Sequence, residues 1–284
     1  MRINPRGRSR DLEDRRGASG GGGLGMGGMR GAGRMGIGGF VVLLILSVVF
    51  KQDLFSVVGG GGAPTAEEAP IQDAAEEPMV LFMSGVLDSN QAFWERTLPQ
   101  LGTQYQRAQL VLFRDATQTA CGYGQSAAGP FYCPGDGKVY IDLSFFEELK
   151  SRFGAPGDFA QAYVLSHEIG HHVQNVLGIS RQVQQAQQQN PGSANQLSGR
   201  LELQADCYAG VWSHLAAQQG MLDPGGVEEG LGAAAAVGDD RIQLEATGRV
   251  TPESWTHGSS EQRMQWFQRG FQGGRPDACD TFAR

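Results

Sequence analysis

Val164-Leu165-Ser166-His167-Glu168-Ile169-Gly170-His171-His172-Val173-Gln174 is the stretch on which the reading of this 284-residue chain turns. The apolar residues on either side of its polar centre predict one buried helix. At 3.6 residues per turn, His167 and His171 fall one turn apart on the same face, so two imidazole nitrogens can converge on one metal ion. Glu168 stands beside them. Zinc held by two neutral histidines and a third protein ligand keeps a coordination position open for water, whose pKa falls to about 7. A carboxylate next to that water can take its proton, which yields a nucleophile for a polarised amide carbonyl. Two histidines four apart also arise by chance on a helix surface, so the motif needs support from elsewhere in the chain.

That support is Leu201-Glu202-Leu203-Gln204-Ala205-Asp206-Cys207-Tyr208-Ala209-Gly210. On a second helix, Glu202 and Asp206 lie four residues apart on one face. Zinc needs a third protein ligand, and its histidines need an acceptor for their far ring nitrogens. Glu202 is assigned to the metal and Asp206 to a hydrogen bond with one of the histidines. An exposed Glu and Asp at helical spacing is the plainer reading of this stretch taken alone. Beside the first motif, the metal reading is preferred.

His-Glu-Ile-Gly-His-His followed by Glu-Leu-Gln-Ala-Asp-Cys-Tyr-Ala-Gly resembles the neutral zinc metallopeptidases of bacteria, membrane-anchored members of the gluzincin class. The likeness runs from about Met79 to the C-terminus and takes in the stretches at 129–134 and 139–146. It implies an α+β, zincin-like (minigluzincin) domain, mostly helical with a small sheet, with Glu168 as general base and Glu202 as third zinc ligand. It supplies no substrate. In zincin folds the strand shortly before the metal helix commonly rims the cleft and takes an extended substrate as a further strand. By resemblance that role falls to the strand at 139–142, which reads equally well as an ordinary core strand.

Glycine is unevenly distributed: 18 of the 43 lie in the first 62 positions, in a low-complexity N-terminus. Charge is uneven too. Residues 1–34 hold eight Arg against three acids, a net of +5, which leaves −12 for the remainder of a chain whose total is −7. An acidic body offers no electrostatic footprint for DNA or RNA, so no nucleic-acid partner is expected.

Four segments follow from composition. Residues 1–34, rich in Arg and Gly, carry too few apolar side chains to offset ordering entropy and are expected to be disordered in the cytoplasm. Residues 35–58 contain an uncharged run from Met35 to Phe50, slightly short of the ~17–25 residues that span a bilayer, and Leu54 to Val58 can extend it. They are read as a transmembrane signal-anchor helix. The positive-inside bias of Arg30 and Arg34 makes a single-pass protein of the bacterial cell membrane, with the body outside the cytoplasm. A cleaved signal peptide competes, but the small residues after Gly59 lie well beyond the apolar run and the charged region is long. Residues 59–78 form a flexible acidic linker, and 79–284 the metallopeptidase domain.

Within that domain the pattern predicts a helix from Asp88 to Leu98 and strands at 108–113 and 138–142, the second after a Gly135-Asp136-Gly137 turn. A cysteine-bracketed loop fills 121–133. Helices follow at 144–153, from Asp158 through the histidine motif, from Ser193 or Asn195 to Gly220, and after Pro224. Gly170 inside the metal helix predicts close approach of backbone, ligand or metal. His172, about 100° round from His171, cannot share its metal face and is given a packing role. Asp239-Asp240-Arg241 reads as a solvated, salt-linked face. Ser259 and Gln262 form a capping box for a last helix. His257, just before it, is a candidate to stabilise the oxyanion of a tetrahedral intermediate, although a lone histidine there is more often structural. Related gluzincins carry a histidine in a similar place.

Four cysteines without a Cys-x-x-Cys pair exclude a zinc ribbon or thioredoxin-type site. Outside the cytoplasm they can form disulfides. Cys121 with Cys133 and Cys207 with Cys279 is one of three connectivities.

The function expected is a membrane-anchored zinc metallopeptidase, an endopeptidase rather than an exopeptidase. Zn2+ sits on His167, His171 and Glu202, with a zinc-bound water activated by Glu168. Its partners are a peptide or protein substrate and, through the N-terminal helix, the lipid bilayer. The alternative is a non-catalytic zincin-fold binding or scaffold protein of the cell envelope, which would have no use for Glu168. Hydrolysis of a non-peptide amide would share the same site.

Overall fold

The computed structural model describes residues 1–3, 5, 7–17 and 73–283. The segment expected to cross the membrane, 35–58, lies outside them. Among the described residues no helix is long and apolar enough to cross a membrane. The architecture is α+β, mostly helical with a small sheet. In chain order the elements are β1 (Leu12–Asp14), α1 (Asp73–Thr97), β2 (Gln109–Phe113), β3 (Ala116–Thr119), β4 (Gly122–Gln125), β5 (Phe131–Cys133) and β6 (Lys138–Asp142). Helices α2 (Ser144–Ser151), α3 (Asp158–Val176), α4 (Ile179–Gln189), α5 (Ala194–Gln218), α6 (Gly226–Ala236), α7 (Asp239–Thr247) and α8 (Ser260–Gly273) follow.

Helix α3 is the centre of the fold because most of its circumference is apolar. Phe159, Tyr163, Leu165, Ile169 and Val173 are all buried, against α1, α5, α6 and the sheet. Gly170 makes the crossing with α5 close: a Cβ there would lie 3.0 Å from both the Cα and the carbonyl oxygen of Ala205. Any larger residue would push α5, and with it Glu202, away from the histidines. Helices α5 and α8 meet the same way, Gly270 lying on the Cys207 carbonyl, and the Cys207–Cys279 disulfide ties the tail to this pair. The second disulfide joins Cys121 to Cys133.

The four-stranded sheet has the order β1-β2-β6-β5. Strands β1, β2 and β6 are parallel, and β5 runs antiparallel to β6. Leu110, Leu112, Val139 and Ile141 face the main core, while Val111, Phe113 and Tyr140 form a smaller cluster on the other face with Cys133 and Phe131. Burial of both faces explains the near-continuous apolar run at 108–113. Strands β3 and β4 pair as a separate hairpin, and β4 and β5 both lie inside the 121–133 stretch read as loop.

Three expectations are corrected here. The first concerns the N-terminal arm, since residues 7–17 are not disordered. Leu12, Glu13 and Asp14 pair with Leu110, Val111 and Leu112, and the surrounding charges find partners across the domain. Arg16, its side chain 1% exposed, pairs with Asp14 and Glu76 at 2.7 Å each, Lys138 with Glu13 at 2.8 Å, and Arg107 with Asp11 at 2.6 Å. The Met1 amine reaches Asp158, at the start of α3, and Asp223. Ladder hydrogen bonds and partly desolvated ion pairs offset the ordering entropy that apolar content alone could not.

The second correction moves the domain boundary. Helix α1 begins at Asp73, so 73–78 belong to the fold and not to the linker, and Asp88 lies in mid-helix rather than at a cap. The third concerns the strand proposed to receive substrate. Residues 138–142 form β6, which is paired on both sides by β2 and β5 and has no open edge for another strand.

Candidate metal centre

The polar centre of α3 is brought under the first half of α5 by the Gly170–Ala205 crossing. His167 and Glu168 are 6% and 7% exposed, and His171 and Glu202 are partly buried. His167 Nε2 lies 3.2 Å from His171 Nε2 and 3.2 Å from Glu202 Oε2, and His171 Nε2 lies 3.4 Å from Glu202 Oε1. A tetrahedral ion with bonds of about 2.0–2.1 Å spaces its ligand atoms about 3.3 Å apart. The two imidazole nitrogens are at that spacing and the Glu202 carboxylate meets them through its two oxygens; with one ligand atom from each residue, all three lie within 4.8 Å of one another. They are also the group of His, Cys, Asp and Glu side chains, among the described residues, disposed to hold a metal ion.

The far side of each imidazole fixes its tautomer. His167 Nδ1 lies 2.8 Å from Asp206 Oδ1. A carboxylate can only accept, so the proton sits on Nδ1 and the Nε2 lone pair faces the centre. His171 Nδ1 donates to Gln174 Oε1 at 2.9 Å. The Gln174 amide cannot be reversed, because its nitrogen donates to the Leu201 carbonyl at 2.6 Å and to Gln204 Oε1 at 3.2 Å. Gln174 thereby also fastens α3 to α5 one residue before Glu202.

Asp206 is fully buried and held in turn. Arg263 on α8 reaches it twice, Nε to Oδ2 at 2.8 Å and Nη2 to Oδ1 at 2.9 Å, and the Tyr163 hydroxyl donates to Oδ1. Burial works to raise the Asp206 carboxyl; Arg263 and His167 outweigh it and hold it below the ordinary aspartate range. His167 shows the reciprocal effect. Burial would lower it, but Asp206 and Glu202 lift it to about 10, so in the absence of metal the ring carries a proton. Glu202 is kept well below the usual range by His171 and His167 in spite of burial. Glu168 is raised, chiefly by burial, which makes its carboxylate a stronger base.

His257 lies in the loop between α7 and α8. Its Nδ1 is 3.0 Å from Asp239 Oδ1, and the backbone N–H groups of Thr256, His257 and Gly258 all donate to Asp239 Oδ2. Asp239 is 8% exposed, so it is the internal anchor of this loop and not part of a solvated face. Burial lowers the His257 pKa, but Asp239 and Glu202 raise it above the ordinary histidine value. His172 points away, bonded to the Tyr132 hydroxyl at 3.1 Å and the Gln106 carbonyl at 2.5 Å, as its position on the helix predicts.

The structure thus brings His167, His171 and Glu202 together, with Asp206 behind His167 and Glu168 next to it on α3, while His257 is held by Asp239 in the loop before α8. Four members went unread in the sequence: Tyr163, Gln174, Asp239 and Arg263. Tyr163 at four residues before His167 and Gln174 at three after His171 carried a helical-spacing signal. Asp239 and Arg263 carried none, since their partners are distant in sequence.

The family model described as "Putative neutral zinc metallopeptidase" matches residues 1–282. This chain belongs to that family. The match includes the N-terminal arm, in keeping with its place in the sheet. Similar family members are the uncharacterized protein YpfJ of Escherichia coli strain K12, 46% identical over 287 residues and across 100% of this chain and 99% of that one, and the uncharacterized protein Mb2605 of Mycobacterium bovis, 46% identical over 207 residues and across 69% and 68%. No solved structure matches the chain.

Proposed function

We propose that this protein is a zinc-dependent peptidase of the gluzincin type, acting as an endopeptidase on peptide or protein substrates. The observation that carries the reading is the convergence of His167 Nε2, His171 Nε2 and the two Glu202 carboxylate oxygens at 3.2–3.4 Å, with Glu168 next to His167 on α3. Zinc on His167, His171 and Glu202 would supply Lewis acidity, polarising the scissile carbonyl and acidifying the attacking water. Glu168 takes the proton from that water at its carboxylate and passes it to the leaving amine. His257, oriented through Nδ1 by Asp239, donates from its other ring nitrogen to the oxygen on which negative charge develops. Asp206, Arg263 and Gln174 hold the two imidazoles in the tautomer that leaves both Nε2 atoms free.

The domain and its arm are placed together on the outer side of the bacterial cell membrane. Two disulfides favour an oxidising compartment, and residues 35–58 supply the apolar contact with the bilayer.

The test uses the full chain, because residues 7–17 belong to the fold. The expected outcome is one zinc per chain and cleavage of an unstructured protein such as casein, with Glu168→Gln retaining zinc and losing at least about a hundredfold in kcat. Zinc retention with undiminished cleavage in that variant removes the general-base role. Failure to bind zinc removes the reading as a whole.

A further inference from the structure

A cavity of about 540 Å³ is lined by sequence neighbours of several residues just described. Leu203 follows Glu202, Gly258 follows His257, and Trp266 lies one turn beyond Arg263. A Cβ at Gly258 would lie 3.1 Å from Leu203 Cδ2, so the cavity lies where the loop carrying His257 packs against the helix carrying Glu202.

Trp255, Trp266 and Leu203 are its large apolar lining residues, and Arg200, Glu253, Asn195 and Gln262 are among its polar ones. Both indoles are held in place: Trp255 Nε1 donates to Gln243 Oε1 at 3.3 Å, and the Arg269 guanidinium lies 4.9 Å from the Trp266 ring centroid. Rigid aromatic walls with a cation at hand favour a flat ring, through edge or stacked contacts and through cation–π attraction.

Gly199 shows that the space is maintained at some cost. It lies within α5, where glycine is less favourable than alanine. Unlike Gly170 and Gly270, it is not required by packing. A Cβ at Gly199 would meet only the Thr256 carbonyl oxygen, at 4.0 Å. What the missing side chain leaves open is the cavity, which Gly199 lines.

From these observations we infer that the cavity is the specificity subsite of the peptidase, and that it takes an aromatic side chain of the substrate residue flanking the scissile bond on the His257 side. The inference rests on the peptidase reading of the centre. Zinc-loaded full-length protein and its Gly199→Phe variant are compared on a peptide library varied at both residues flanking the cleaved bond. Phenylalanine is a better helix former than glycine and has room at this position, so the variant keeps its fold.

The wild type is expected to prefer an aromatic residue over alanine at one of the two positions by at least about tenfold. Gly199→Phe should abolish that preference and leave cleavage of alanine peptides intact. Absence of the preference, or its survival in the variant, overturns the subsite. A parallel titration with N-acetyl-phenylalanine amide, read by tryptophan fluorescence, separates the two readings. If the wild type cleaves nothing yet responds to the amide, and Gly199→Phe does not respond, the cavity stands as an aromatic site and the peptidase reading falls. No response in the wild type overturns the cavity as well.

Discussion

Replacing Asp206 by Asn removes one negative charge from a fully buried position and leaves the Arg263 guanidinium, 4% exposed, without its carboxylate. Breaking a buried ion pair from one side costs about 3–5 kcal/mol, because the remaining charge is neither paired nor hydrated. For a domain of this size each kcal/mol corresponds to about 2–4 °C, so zinc-free Asp206→Asn should melt about 6–20 °C below the wild type. The same change weakens the grip on the His167 ring, which should cost about 10–100-fold in zinc affinity. The double variant Asp206→Leu/Arg263→Met separates the two effects. With both charges gone and the space filled by apolar groups, stability should return to within about 1 kcal/mol of the wild type, while zinc affinity stays low because His167 Nδ1 still lacks its acceptor. Thermal melts of zinc-free protein and competition with a chelator provide the two measurements. Wild-type melting and wild-type zinc affinity in Asp206→Asn would refute the reasoning, and full recovery of zinc binding in the double variant would refute its second half.

Gln174→Met, which keeps size and removes the acceptor for His171, should weaken zinc binding by about 10–100-fold, measured by the same competition. Zinc must displace the proton that Asp206 and Glu202 hold on His167, so apparent affinity should climb with pH from 6.5 to about 10 and flatten above it; calorimetry in buffers of differing ionisation enthalpy reads the protons released. In zinc-free protein the same raised pKa stabilises the fold, in full below 6.5 and decreasingly as pH rises through about 10, so melts across that range should show the loss. Arg16→Ala should lower stability by about 1.5–3 kcal/mol in urea titration through its lost bonds to Asp14 and Glu76. A neutral result there would mean that the arm is not held by its charges.

The centre was legible where one helix carries the information. His167, Glu168 and His171 are spaced by the helical repeat, and Glu202 with Asp206 repeats the device on a second helix. The zinc reading then required only that the two helices meet, and Gly170 in mid-helix marked where. The parts that escaped notice depend on contacts between distant segments. Asp239 and Arg263 look like ordinary surface charges; Asp239 is buried by the 256–258 loop folding over it, and Arg263 by the packing of α8 against α5. The arm misled for a related reason. Its Arg and Asp residues have the composition of a disordered chain, and nothing local reveals that Glu76, Arg107 and Lys138 present matching charges. The strand at 138–142 was placed correctly, but its interior position in the sheet follows from β5, three residues long and hidden in a stretch rich in glycine and turns.

The pairing of Leu12 with Leu110 sets the order in which the molecule can be completed. Strand β1 is the first element to be synthesised, yet its place in the ladder does not exist until β2 has been made and seated against β6. Contacts so far apart in sequence form slowly, since the intervening chain must be closed into a loop before they reward it. Until then β2 presents an unpaired row of backbone donors and acceptors, a template for another chain's strand. The arm acts as a stopper for that edge, carried by the polypeptide itself and fitted last.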